Sequence, residues 1–163
     1  MKRNVKNEFL PSEEDGAPRT QYGALCWRLH RGRLEVLLIT SRETRRWVIP
    51  KGWPMDGKDA ATAAAQEAWE EAGVTGEVGT EAVGFYGYDK TRKTAAALPC
   101  VVSVYPLRVE GLAKKFPERK ERRRRWFGAG KAAKLVAEPE LQALLSRLEE
   151  DPSAVAGGAV ASA

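Results

Sequence analysis

At 163 residues, 43% of them hydrophobic and 30% charged, the chain is long enough for one compact domain and too short for two comfortable ones. No stretch approaches transmembrane length, and the opening MKRNVKNEF lacks the apolar run of a signal peptide, so a cytoplasmic protein is expected. Two cysteines without a CxxC spacing and one histidine, His30, argue against a zinc site and a disulfide framework, while a net charge of +5 leans toward an anionic partner.

Residues 1–18 read as a flexible polar arm, 19–150 as a single domain and 151–163 as a loose tail of small residues. YGALCWRLH (22–30) and RLEVLLIT (33–40) predict two strands joined at Arg31-Gly32 as a hairpin. SRETRR (41–46) is a polar loop, WVIP (47–50) a short strand ended by Pro50, and KGWPMDGK (51–58) a loop of constrained shape. A helix follows from Asp59 as N-cap through Ala72, with Gly73 as its stop. EVGTEAVGFYGYD (77–89) and ALPCVVSVYPLRV (97–109) predict strands around a basic KTRKT loop. RRRRWFG (122–128) predicts a last short strand, and the remainder a helical region broken at Pro139. Strands and helices alternate without a regular βαβ rhythm. The expected class is therefore α/β of the α+β kind, a mixed sheet covered by helices.

The helix AAAQEAWEEAGV (63–74) carries the chemistry. Ala61, Ala65, Ala68 and Ala72 form a narrow stripe suited to packing, and Glu67, Glu70 and Glu71, spaced i, i+3, i+4, share a different face. A solvated face usually offsets such repulsion with Lys or Arg at i+4, and no such partner is present on the helix. Hard divalent cations take oxygen ligands, and Mg²⁺ uses only one or two carboxylates beside water and phosphates. On spacing alone, a solvated acidic helix remains the commoner explanation.

The surroundings change that reading. GWPMDGKDAATAAAQEAWEEAGV (52–74) resembles the Nudix box, a glycine, five residues, Glu, seven residues, then Arg-Glu-apolar-x-Glu-Glu-x-Gly-apolar. Gly52, Glu67, Ala68, Glu70, Glu71, Gly73 and Val74 match, whereas Lys58 stands where the family has Glu and Gln66 where it has Arg. TSRETRRWVIPKG (40–52), the basic loop after Tyr88, and RRRRWFG followed by a helix resemble the diphosphoinositol polyphosphate phosphohydrolase branch. The resemblance covers roughly residues 20–137.

It implies a Nudix fold, a mixed sheet sandwiched between helices, and hydrolysis of a diphosphate linkage in a small, highly anionic molecule with Mg²⁺, or Mn²⁺, as cofactor. Glu67 and Glu71 would be metal ligands, joined by the backbone carbonyl of Lys51. Glu70 would be the general base or a further ligand. The resemblance also places Thr40, Ser41, Arg42, Lys90 and Arg122 at phosphate-contacting positions. Lys58 and Gln66 either link loop and helix in place of the missing Glu and Arg or leave a looser, slower site. From the residues alone, Trp47, Trp53 and Trp69 are more simply packing residues, and Trp53, beside Gly52, is the best of them for stacking on a base. The arginine run has no nucleic-acid domain signature around it, so nucleic acid is not the expected partner. The alternative reading is a catalytically weakened Nudix-fold module that binds a polyphosphate ligand or RNA as a sensor or regulator.

Overall fold

A computed structural model describes residues 17–92 and 95–156. Most of the expected N-terminal arm and the last residues of the tail lie outside that range. The elements in chain order are β1 (Arg19–His30), β2 (Arg33–Thr40), β3 (Trp47–Val48), β4 (Lys51–Gly52), α1 (Ala60–Ala72), β5 (Val74–Val78), β6 (Gly84–Lys90), β7 (Leu98–Leu112), β8 (Arg124–Gly128), α2 (Ala129–Leu135), α3 (Pro139–Glu150) and α4 (Ser153–Ala156).

The sheet is mixed, in the order β3-β2-β1-β7-β5, with β4 on β1, β6 on β7 and β8 on β2. Only β1 and β7 run parallel; the other pairs are antiparallel. The β1–β2 hairpin turns at Arg31 (φ 54°) and Gly32 (φ 77°), the pair of positive φ angles that a two-residue type I′ turn requires.

Both sheet faces are buried, which explains why β2 reads as a nearly unbroken apolar run. Leu25, Val36 and Leu38 pack with α2 and α3 on one face. Ala24, Cys26, Leu37 and Ile39 pack with Ala64, Ala68 and Ala72 of α1 on the other. Burial pushes the Cys26 thiol up to about 12, so it behaves as a small apolar core residue. The α/β sandwich expected from the sequence is thus present.

Several boundaries move. The run 77–89 is two strands, β5 starting at Val74 directly after α1 and β6 starting at Gly84. Both pair with different stretches of the 15-residue β7, which extends to Leu112. The expected strand 47–50 breaks after Val48, and Lys51–Gly52, expected as loop, pairs with Tyr22 and Gly23 of β1 as β4. Pro139 opens α3 at a position where its missing N–H has no helical partner to lose. At the start of the segment read as a tail, α4 places Ala156 in the core beside α3.

Helix α1 is the element that builds the site. Asp59 caps its N-terminus by accepting from Thr62 N–H (2.8 Å), and Gly73 closes it in the left-handed region. The segment after β7 is tied to the exit of α1, with Ala113 N–H donating to Gly73 O and Glu118 N–H to Glu70 O. Arg124 Nη1 donates to Ala72 O (2.7 Å), a cation at the negative end of the helix.

Candidate active site

The carboxylates are not on a face separate from the packing stripe. Glu67 is 3% exposed and Glu71 6%, and both lie on the buried side of α1 with Ala63 and Ala64; Ala65, expected in the packing stripe, is half-buried, as is Glu70 at the edge of this face. The geometric reason is the short strand β4. Lys51–Gly52 passes so close to α1 that a Cβ on Gly52 would overlap the Glu67 carboxylate. Glycine at this position makes the room in which that carboxylate sits.

Glu71 Oε1 accepts from Lys51 N–H (3.4 Å) and lies 3.7 Å from Arg122 Nη2. Burial pushes the Glu71 carboxyl above its ordinary range; the Arg122 guanidinium opposes this shift, and neighbouring Glu67 adds to it. Burial likewise lowers the Lys51 ammonium, with Glu71 opposing the shift. Glu70 Oε2 accepts from Gln66 Nε2 (2.8 Å), and Gln66 Oε1 accepts from Lys58 Nζ (3.5 Å). The substituted pair therefore forms a chain from the loop to Glu70.

Ser41, Arg42, Lys51, Glu67, Glu70, Glu71, Lys90 and Arg122 all line one cavity of about 420 Å³. Thr40 does not. It is buried, its hydroxyl accepts from Arg123 N–H (2.9 Å), and its carbonyl accepts from Arg122 Nη1 (3.2 Å). Thr40 thus positions the start of β8 and the Arg122 side chain, and its hydroxyl is committed to that task.

Arg122 is placed differently from a free phosphate ligand. Its Nε donates to Glu118 Oε1 (2.8 Å), so the guanidinium bridges Glu118, Thr40 O and Glu71. Only about 10% of the side chain is exposed. Arg42 is more open and faces Glu118 and Glu121 at 4.0 and 3.7 Å. Ser41 Oγ is within 2.6 Å of Thr44 Oγ1 and accepts from Arg46 N–H, which stiffens the loop around the rim. Trp53 also lines the cavity.

The sequence did not single out Gln21, Arg46, Tyr88 or Glu118 as site residues. Gln21 is buried on an inward position of β1 and accepts from the Tyr88 hydroxyl (2.6 Å). A polar residue at an inward strand position was the available signal. Arg46 lines the cavity while its Nη1 pairs with the buried Glu138 carboxylate (2.8 Å), a contact across 92 residues with no local trace.

The cavity wall carries six acidic and five basic side chains. With the two signs nearly balanced, the wall by itself does not offset the charge of a polyphosphate. Among the described residues, no group of three or more His, Cys, Asp or Glu side chains forms a ready metal cage. Two buried carboxylates beside a backbone segment nevertheless suit a hard divalent cation that keeps most of its water. The carboxylate-sized space at Gly52 also fits this donor set.

A family model for the NUDIX domain matches residues 19–148. The chain is 32% identical over 125 residues to Nudix hydrolase 12, mitochondrial, of Arabidopsis thaliana, covering 73% of this chain and 62% of that protein. It is 31% identical over 114 residues to diphosphoinositol polyphosphate phosphohydrolase 3-beta of Homo sapiens, covering 69% of this chain and 65% of that protein. The chain thus spans somewhat under two thirds of the length of these relatives. Among solved structures, the C. elegans Ap4A hydrolase superposes with a TM-score of 0.61 at 20% identity, covering 82% of this chain and 98% of that one. The likeness at that identity is one of fold.

Proposed function

The chain belongs to the NUDIX family, and on that footing we propose that it hydrolyses a diphosphate linkage in a highly anionic small molecule, a diphosphoinositol polyphosphate or a diadenosine polyphosphate. The observation that carries this reading is the convergence of Glu67, Glu70 and Glu71 with Arg42, Lys90 and Arg122 around one cavity. Glu67 and Glu71, with the Lys51 carbonyl, would hold Mg²⁺ or Mn²⁺. Such a cation would neutralise charge on the phosphate oxygens as the linkage breaks and acidify the attacking water.

The protein's own groups then have defined tasks. Glu70, held by Gln66 Nε2, takes the proton from the attacking water. A new P–O bond forms to that water, and the departing phosphate leaves with the bridging oxygen. Arg42 and Lys90 face charge on the phosphates, and Arg122 keeps Glu71 and Glu118 in place. No described helix is long and apolar enough to cross a membrane, and a cytoplasmic location is the accompanying working assignment.

The test is phosphate release from a panel of inositol pyrophosphates and dinucleoside polyphosphates, with and without Mg²⁺. Metal-dependent release by the wild type, lost in Glu70→Gln and Glu71→Gln, is the expected result. A wild type that binds these compounds and hydrolyses none would overturn the enzyme reading in favour of a binding module.

A further inference from the structure

The basic side chains of the cavity are not equally available to a ligand. Arg122 is engaged by Glu118, Thr40 O and Glu71, and Arg46 by Glu138. Arg42 faces Glu118 and Glu121. Lys51 and Lys90 are different. Both side chains line the cavity, and the Lys51 ammonium is placed over an aromatic ring.

Lys51 stands out because its backbone is fixed. Lys51 pairs with Gly23 in the sheet and donates its N–H to Glu71, so the origin of the side chain is set by β4. The Nζ then lies 4.8 Å from the centre of the Tyr88 ring, whose hydroxyl is held by Gln21. An aromatic face stabilises a cation without consuming its hydrogen-bond donors, so three N–H groups stay available. An ammonium held over a ring at the wall of a cavity presents its donors to that cavity, as an anionic ligand requires.

We propose that the Lys51 side chain, fixed over Tyr88, binds a non-bridging phosphate oxygen of the substrate and selects molecules with phosphates beyond the two that flank the broken bond. This rests on the diphosphate-hydrolase reading above. Glu67 and Glu71 lie on α1 behind β4, whereas the Lys51 ammonium reaches the part of the wall formed by Tyr88. The scissile pair of phosphates sits at the carboxylates, and further phosphates meet Lys51 and Lys90. Lys51 therefore contributes to the site twice, through its carbonyl and, independently, through its ammonium.

The test compares wild type, Lys51→Met, Lys51→Gln and Lys51→Arg at fixed Mg²⁺. The substrates are a dinucleoside tetraphosphate and a dinucleoside diphosphate, with a methylene-bridged tetraphosphate analogue for titration calorimetry. Loss of one charge-assisted contact corresponds to about a tenfold change in affinity. Lys51→Met and Lys51→Gln are expected to raise KM for the tetraphosphate and weaken the analogue by that factor. The diphosphate should be affected less, and Lys51→Arg should recover most of the loss. Unchanged KM and analogue affinity in both neutral variants would overturn the assignment while leaving the hydrolase reading intact. So would a defect confined to kcat. A wild type that neither hydrolyses these compounds nor binds the analogue would overturn both.

Discussion

The Glu67 carboxylate rests against the α-carbon of Gly52, in space that any larger residue would occupy itself. Twenty-three residues of sequence, from Gly52 to Val74, are folded so that their first position makes room for a carboxylate two-thirds along. Gly52→Ala should therefore push Glu67 or β4 aside. Overpacking of this kind costs about 1–3 kcal/mol, and at this size each kcal/mol lowers Tm by roughly 2–4 °C. The more specific outcome concerns the cation: Mg²⁺ should raise the Tm of the wild type and do so much less in the variant. An equal metal-induced rise in both proteins would show that the contact has no bearing on the cation.

The Lys58–Gln66–Glu70 chain makes a graded prediction. The bond from Gln66 to Glu70 is short, at 2.8 Å, while that from Lys58 to Gln66 is 3.5 Å and exposed. A long, solvated contact is worth little. Gln66→Ala should thus lower kcat by about tenfold through loss of orientation at Glu70, corresponding to roughly one hydrogen bond. Lys58→Ala should lower it by no more than about threefold, within the range of an exposed contact. Steady-state kinetics on the best panel substrate decides it. An identical large loss in both variants would mean that the chain acts as one unit; no loss in either would remove the link altogether.

The box glutamates and the helix that carries them were legible because the signal is local, a fixed spacing on one element with its cap and stop residues adjacent. The face that Glu67 and Glu71 occupy was not legible. The alanine stripe looked like the whole packing face, but β4 widens the buried side, and a two-residue strand carries too few residues to announce itself by periodicity. Thr40 illustrates another limit. Its hydroxyl is claimed by the backbone of Arg123, 83 residues away, a pairing set by the β2–β8 register. The basic run disperses for the same reason, Arg122 reaching Glu118 and Arg124 the end of α1.

Arg122 serves as a strut as well as a cavity wall, and this separates it from a simple phosphate ligand. Removing the guanidinium in Arg122→Met leaves Glu71 and Glu118 without their shared cation. Breaking buried ion pairs costs roughly 3–5 kcal/mol, and the loss here should fall below that range, because Glu118 is about one-fifth exposed and the metal-free Glu71 carboxyl is relieved by taking up a proton. Arg122→Lys should recover only part of this, since a point charge cannot address three acceptors in the fork geometry. Urea unfolding of the metal-free proteins measures both effects. A variant with wild-type stability and only a raised KM would return Arg122 to the role of a plain substrate contact.

The raised Glu71 carboxyl gives the metal-free protein a pH dependence whose sign is opposite to that of most acidic residues. Its folded-state value, about 8, lies above the ordinary value near 4.5. Below pH 4.5 the group is protonated in both folded and unfolded chains, and its contribution to stability is fully present. As pH rises, the unfolded chain releases the proton first, so stability is lost progressively until the folded carboxyl has also ionised. Asp59 and Asp151, both lowered by hydrogen bonds, act in the other direction and only at more acidic pH. The Glu71 effect is isolated by comparing wild type with Glu71→Gln in EDTA between pH 5 and 8.5. The wild type should lose stability relative to the variant across this window. Mg²⁺ requires the ionised carboxylate, so its affinity should rise over the same interval. Parallel stability curves for the two proteins would show that Glu71 is already ionised at neutral pH without a cation.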